Sequence, residues 1–134
     1  MTPEEVFLTV MEPIEGLQSK VFPAEAIKNA TAPFVFYLQH TEDEEEALDG
    51  PTGLMFALFE VNCVAQSYAS LLWLVGAVRT ALRSMQGQTY GDLLIERVSV
   101  RQASPDLKEK EVGLYRRMLQ LEIHYQKEEK RNEV

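Results

Sequence analysis

The most constraining feature of this sequence is a long alternating segment that leads directly into an amphipathic helix. Residues 54–65 place an apolar side chain at every second position, which predicts a long strand with one face on the core. The opposite face turns polar at Glu60 and Asn62, so we expect it to be covered only in part. Ser67 suits the N-cap of the helix that follows, which we predict over residues 68–86.

The sequence before this segment predicts a short helix and one further strand. Thr2 and Glu5 suit the capping box of a helix that should end near Glu12. Residues 20–23 form a brief extended piece, and the run 34–40 is rich in aromatic and β-branched side chains, which is typical of a central strand.

The sequence after the long helix predicts two more strands, over residues 93–101 and 114–125. In the first of these, Leu94 should share one face with Val98, while polar side chains occupy the other face. The stretches 41–53 and 102–113 carry the turn and charge signals of loops.

We therefore predict an α+β fold with the element order α-β-β-α-β-β. It consists of an N-terminal helix, a mainly antiparallel four-stranded sheet and one long helix packed on that sheet. Residues 1–126 are expected to form a single domain, which suits a chain of 134 residues, and residues 127–134 a disordered charged tail.

The charge of the chain is unevenly distributed. The net charge is −8, but residues 1–65 carry −10 and residues 66–134 carry +2. A general basic surface for nucleic acid is therefore not expected. Six carboxylates fall between Glu42 and Asp49, which we interpret as a solvated acidic loop or as a docking surface for a basic partner.

No motif for catalysis, nucleotide binding or metal binding is present, so we expect no enzyme activity, no cofactor and no metal site. The single cysteine, Cys63, falls in the apolar strand pattern, which favours a buried structural thiol. His40 and His124 are on different strands, and a surface position is the simpler interpretation of His40. No apolar run reaches the length of a membrane span, and we expect no contact with a membrane.

The order of features resembles the tail completion, or tail terminator, family of long-tailed bacteriophages and prophages. The densest likeness is the turn Leu48-Asp49-Gly50, the strand Phe59-Glu60-Val61-Asn62-Cys63-Val64-Ala65 and the corner Ser67-Tyr68-Ala69 that opens the helix. The strand entry Ala32-Pro33-Phe34-Val35-Phe36-Tyr37, the Ala81-Leu82 pair and the closing Tyr115-Arg116-Arg117 extend the likeness over about residues 1–126. The acidic run Glu42–Glu46 departs from the family pattern.

The resemblance implies a structural virion protein that assembles as a ring, typically a hexamer. Its partners would be further copies of itself, the major tail-tube protein and a head-completion or connector protein, with genomic DNA passing through the lumen without specific binding. Such a protein would assemble in the host cytoplasm and end at the head–tail junction. The alternative is a small bacterial adaptor that binds a basic partner through the acidic residues 42–49.

Candidate contact residues follow from exposure and charge. Trp73 falls nearly opposite the buried ridge of the long helix, which indicates either a contact surface or packing beneath a loop. The further candidates are Glu44, Glu45, Asp49, Gly50, Arg97, Arg101 and Arg116.

Overall fold

The computed structural model describes residues 1–24, 31–47, 50–109 and 113–127, and these ranges contain two helices and seven strands. The helices are α1 (Pro3–Met11) and α2 (Tyr68–Arg83). The strands are β1 (Val21–Pro23), β2 (Phe34–Ala47), β3 (Gly50–Ala65), β4 (Thr89–Tyr90), β5 (Leu93–Gln102), β6 (Leu107–Glu109) and β7 (Leu114–Lys127).

The strands form one mixed sheet in the order β1-β2-β3-β7-β5-β4. β2 and β3 make a long antiparallel hairpin, and β7 lies antiparallel between β3 and β5. β1 pairs in parallel with β2 at Val35–Tyr37. The long central strands therefore place most of the sheet's hydrogen bonds between segments that are distant in sequence.

β5 and β6 share one edge of β7 and are separated by an insertion at residues 103–106. Ala103 still donates its N–H to the carbonyl of Met118 over 2.9 Å. Pro105 has no N–H to donate, so a regular ladder cannot continue through it. Arg117 lies opposite the insertion and donates two hydrogen bonds to the carboxylate of Asp106, each 2.7 Å long.

Both helices pack on one face of the sheet, which we call the inner sheet face. The buried side chains of this layer include Val6, Phe7, Met11, Phe59, Val61, Leu71, Leu74, Val78, Leu82, Leu119, Leu121 and Ile123. Phe7 of α1 stacks on Phe59 with ring centroids 5.5 Å apart and lies 4.9 Å from the ring of Tyr37. The alternation predicted for residues 54–65 is confirmed, because its apolar set from Ala57 onward faces this core.

The predicted helix starts are confirmed by their caps. The Thr2 hydroxyl accepts the N–H of Glu5 at 3.2 Å, and the Ser67 hydroxyl accepts the N–H of Ser70 at 3.1 Å. The second helix ends at Arg83, three residues before the predicted end. Neither helix of the described ranges is long and apolar enough to cross a membrane.

The predicted four-stranded, mainly antiparallel sheet with one long helix is wrong. The sheet has seven strands and is mixed, and the acidic stretch expected to be a loop belongs to the β2–β3 hairpin. Residues 41–44 pair with β3, but their side chains are exposed, so the acidic stretch has no apolar alternation from which a strand could be predicted. Asp49, residues 110–112 and the tail 128–134 lie outside the described residues, while Lys127 still belongs to β7.

The faces predicted for β5 are also partly wrong. The register shifts between Ile95 and Arg97, which is the mark of a β-bulge. Ile95 therefore joins Val98 on the inner sheet face, whereas Leu94 does not.

Candidate self-association surfaces

The sheet face opposite the helices, which we call the outer sheet face, mixes apolar and charged side chains. Because both described helices pack on the inner sheet face, neither covers it. Its apolar side chains include Phe36, Leu38, Phe56, Leu58 and Met118, of which Leu38 is 38% exposed. A groove of about 310 Å³ crosses β2, β3 and β7 and is lined by His40, Leu58, Glu60, Met118 and Gln120, with Ala103 from the insertion after β5.

Arg97 and Arg101 lie exposed on the outer sheet face of β5. Arg97 Nη2 lies 3.3 Å from Nε2 of His124. Within the described ranges, no carboxylate lies within ion-pair distance of either guanidinium. Both arginines are therefore available for two-point hydrogen bonding to a carboxylate of another chain.

Arg116 is half-buried and lies apart from the other two arginines, near the start of β7. Its guanidinium sits 5.9 Å from the ring centre of Phe36, so the side chain reaches across β3. Asn62 of β3 is fully buried on this face and donates to Glu60 at 3.1 Å. Asn62 Oδ1 and Arg116 Nε have no hydrogen-bond partner among the described residues, and a buried polar atom in that state costs roughly 1–3 kcal/mol.

Each histidine lies close to one carboxylate on the outer sheet face. His40 Nε2 is 3.8 Å from Oε1 of Glu60, and His124 Nε2 is 3.0 Å from Oε1 of Glu122. The described ranges contain no cluster of three side chains that could hold a metal ion.

The groups with the most perturbed acidity are buried in the core. Cys63 is fully buried, as the strand pattern predicts, and burial raises the pKa of its thiol to about 12. Burial, and then the hydrogen bond from its hydroxyl to Glu4, raise the pKa of Tyr37 to about 12. Such raised values keep these groups protonated at neutral pH, so they suit packing and hydrogen bonding better than nucleophilic chemistry.

Trp73 lies on the exposed side of α2, within a patch that we call the tryptophan surface: Leu72, Trp73, Gly76 and Thr80. The Trp73 side chain is 55% exposed and that of Leu72 is 45% exposed. An open groove of about 620 Å³ runs along this surface and is bordered by Ile14 and Glu15. Aromatic side chains are enriched at contact surfaces relative to the rest of a protein surface.

The acidic side chains of β2 form a third candidate surface, beside the outer sheet face and the tryptophan surface. Glu42, Asp43 and Glu44 are exposed on β2, and Glu42 accepts a hydrogen bond from the hydroxyl of Tyr125. Burial, followed by that hydrogen bond, raises the pKa of Tyr125. Glu45 belongs to β2, but its side chain lies outside the described part of the structure.

The candidate contact residues of the sequence thus fall on three separate surfaces. Arg97 and Arg101 share the outer sheet face, Glu44 lies three strands away on β2, and Trp73 belongs to the helix layer. Gly50 is the first residue of β3.

Sequence reasoning missed three residues on these surfaces. Leu72 and Tyr68 are exposed on α2, where a helical-wheel projection places Leu72 beside the predicted tryptophan. Asn62 was expected on a partly covered face and not as a buried residue.

Comparison with known proteins gives structural likenesses and no sequence family. No protein-family model and no curated protein matches the sequence. The structure is similar to a chain of a solved structure described as "Virion of native gene transfer agent (GTA) particle", at 15% identity and a TM-score of 0.45. The alignment covers 90% of this chain and 84% of that chain.

Proposed function

We propose that this protein is a structural subunit that assembles into a ring and terminates the tail tube of a phage or prophage. The observation that carries the proposal is the presence of two unlike exposed surfaces on one small domain. The tryptophan surface is apolar, whereas the outer sheet face carries Arg97 and Arg101, which form no ion pair with a carboxylate of the described ranges. Two different surfaces that meet between copies generate a closed ring or a filament.

The sequence resemblance indicates where such a ring would act, between the tail tube and the head. A tail-terminator role would have the ring, a hexamer in the family, contact the major tail-tube protein on one side and a head-completion or connector protein on the other. Genomic DNA would pass through its lumen without specific binding. The excess of acid over base suits such a passage, because an acidic wall repels the phosphate backbone.

We also propose that the protein acts through assembly and not through catalysis. Cys63 is buried with a raised pKa, and each histidine pairs with a single carboxylate. These groups lack the nucleophile–base–orienter arrangement that covalent catalysis uses.

Size-exclusion chromatography with light scattering over a concentration series tests the ring. We expect association that increases with concentration, or that appears when tail-tube protein is added. Trp73→Ala should weaken it by about tenfold, the usual effect of truncating an aromatic anchor at an interface. Gln88→Ala, which shortens an exposed side chain in the turn after α2 and outside both surfaces, is the control. A strict monomer in the presence of tail-tube protein would refute the proposal.

The adaptor alternative depends on the acidic side chains and can be separated from the ring. Deleting the acidic run would remove part of a paired strand, so neutral substitutions are the better test. Glu44→Gln combined with Glu45→Gln keeps the strand length, leaves Asp43 unchanged and leaves Glu42 bonded to Tyr125. An adaptor should lose its basic partner, whereas a ring subunit should still bind tail-tube protein.

A further inference from the structure

One edge of the sheet is open along β2. β1 covers β2 only at Val35–Tyr37, and no strand of the described ranges pairs with the following residues 38–44 on that side. This stretch carries Glu42, Asp43 and Glu44 and no lysine or arginine. We call it the acidic edge.

The opposite edge of the sheet is open along β5. β4 covers only Leu93 and Leu94, and within the described part of the chain no strand pairs with residues 97–102 on that side. We call this stretch, which carries Arg97 and Arg101 and no carboxylate, the basic edge. Glu96 precedes it at the bulge.

Side chains of α2 and of the turn after it form hydrogen bonds with the main chain of the basic edge. The N–H of Val98 donates to Gln86 Oε1 at 3.1 Å, and Arg79 donates to the carbonyl of Val100 at 3.3 Å. These bonds protect two main-chain groups but do not cover the arginine side chains, which lie on the outer sheet face.

The two open edges lie at the same height of the sheet. Cross-strand pairing places Arg97, His124, Phe56 and Asp43 in one row. A second row contains Ser99, Glu122, Leu58 and Thr41, and a third contains Arg101, Gln120, Glu60 and Leu38. Paired residues point to the same face, so Asp43 and Arg97 are both on the outer sheet face.

These opposite charges cannot meet within one copy. β2 and β5 are three strand spacings apart, roughly 14 Å, which is beyond the reach of an aspartate–arginine pair. Three successive antiparallel pairings make β5 antiparallel to β2. A rotated neighbouring copy whose strands follow the ring axis keeps this orientation, so its acidic edge would lie antiparallel beside the basic edge.

Building on the proposed ring, we propose that the basic edge of one copy docks beside the acidic edge of the next copy, with Arg97 facing Asp43. The match of height, direction and charge identifies a second copy of this chain as the occupant. β1 and β4 bound the open stretches at opposite ends, so the contact is confined to the rows between them.

Cysteine cross-linking tests the pairing of the two edges. Ser99→Cys with Thr41→Cys, in a Cys63→Ala background, places two exposed thiols in the same row. A bismaleimide shorter than the roughly 14 Å that separates them within one copy can link them only between copies. We expect a ladder that extends beyond the dimer.

The single-cysteine variants provide the control. In a head-to-tail assembly, Ser99→Cys alone or Thr41→Cys alone has no partner thiol nearby and should remain unlinked. If the double variant assembles without linking, the edge proposal is wrong while the ring proposal stands. If wild-type protein never assembles, the ring proposal itself fails.

A charge exchange tests the facing pair independently. Arg97→Asp should weaken association about tenfold, because it sets two carboxylates opposite each other. Adding Asp43→Arg should restore most of the loss. Arg83→Asp makes the same change at an exposed residue of α2 outside both edges and should have little effect. Equal weakening by the two arginine variants, or no rescue by the exchange, would overturn the proposal.

Discussion

Replacing Asp106 with asparagine tests whether one ion pair stabilises the insertion between β5 and β6. Asp106 Oδ1 accepts from Arg117 Nε and Asp106 Oδ2 accepts from Arg117 Nη2, both over 2.7 Å. Arg117 projects from β7 near the start of that strand, where main-chain pairing with Cys63 on β3 holds its position. The carboxylate therefore ties an irregular segment to a strand that is paired with β3.

The stability that Asp106→Asn should lose lies between the contribution of a buried ion pair and that of an exposed one. The side chains of Arg117 and Asp106 are 14% and 23% exposed. Hydrogen bonds to charged groups contribute about 1.5–3 kcal/mol, and exposed ion pairs about 0.2–1 kcal/mol. Asparagine keeps one acceptor oxygen and loses the charge, so we expect Asp106→Asn to lower the free energy of unfolding by about 1–2 kcal/mol.

The same pair predicts a pH dependence. Hydrogen bonding to Arg117 lowers the pKa of Asp106 below its usual value, which is about 3.9 in an unfolded chain. A lowered folded-state pKa means that the stabilisation is complete above about pH 4 and is lost as pH falls through the folded-state pKa. The stability difference between wild type and Asp106→Asn should therefore be greatest near neutral pH and shrink below about pH 4.

Urea unfolding followed by far-UV circular dichroism measures this difference at several pH values. The slope of the unfolding free energy against urea concentration should be the same for both proteins, so a shift in the midpoint reports a change in stability. Asp92→Asn is the control, because Asp92 pairs with the N-terminal amine at 2.8 Å in a more exposed setting and should matter less. An unchanged midpoint at neutral pH, or a difference that persists undiminished in acid, would refute the reasoning.

Three further predictions concern the core and its polar contacts. Tyr125→Phe removes the hydrogen bond to Glu42 and should lower the free energy of unfolding by about 1 kcal/mol in the same assay. Phe59→Ala should cost about 3–5 kcal/mol, because the ring is fully buried against α1; a loss below 1 kcal/mol would contradict this packing. Cys63 should react with a thiol reagent only as fast as the protein unfolds, since it is buried and its pKa is raised to about 12; fast labelling of native protein would exclude that environment.

The sequence predicted the parts of the fold in which burial leaves a pattern. The caps at Thr2 and Ser67 were predictable, because a side-chain acceptor at a helix start is a local requirement. The core face of β3 was predictable, because alternation reports which side is buried. The acidic residues 41–47 are predicted as a loop but belong to β2; the side chains of residues 41–44 are exposed, so they leave no apolar alternation from which a strand could be predicted.

The arrangement of the contact surfaces depends on register, which the sequence does not display. The bulges at residues 39–41 and 95–97 each change which side chains face outward. If neither strand had its bulge, Asp43 and Arg97 would fall in different rows of the sheet. The sequence could therefore identify Trp73 and the arginines as candidates but not the alignment of the two edges.

The charges on the open edges also decide which edges can meet. Two acidic edges brought together would oppose Asp43 and its neighbouring glutamates with their own copies, and two basic edges would oppose Arg97 and Arg101 in the same way. Only the unlike pair is attractive, and this selects the head-to-tail contact over symmetric dimers. Because both edges are exposed, screening should act on them strongly, with a Debye length of about 10 Å at 0.1 M salt and 3 Å at 1 M. Association measured by light scattering should therefore weaken as salt rises to about 1 M, and the Arg97→Asp variant should lose that dependence; association that strengthens with salt would assign the contact to the apolar tryptophan surface instead.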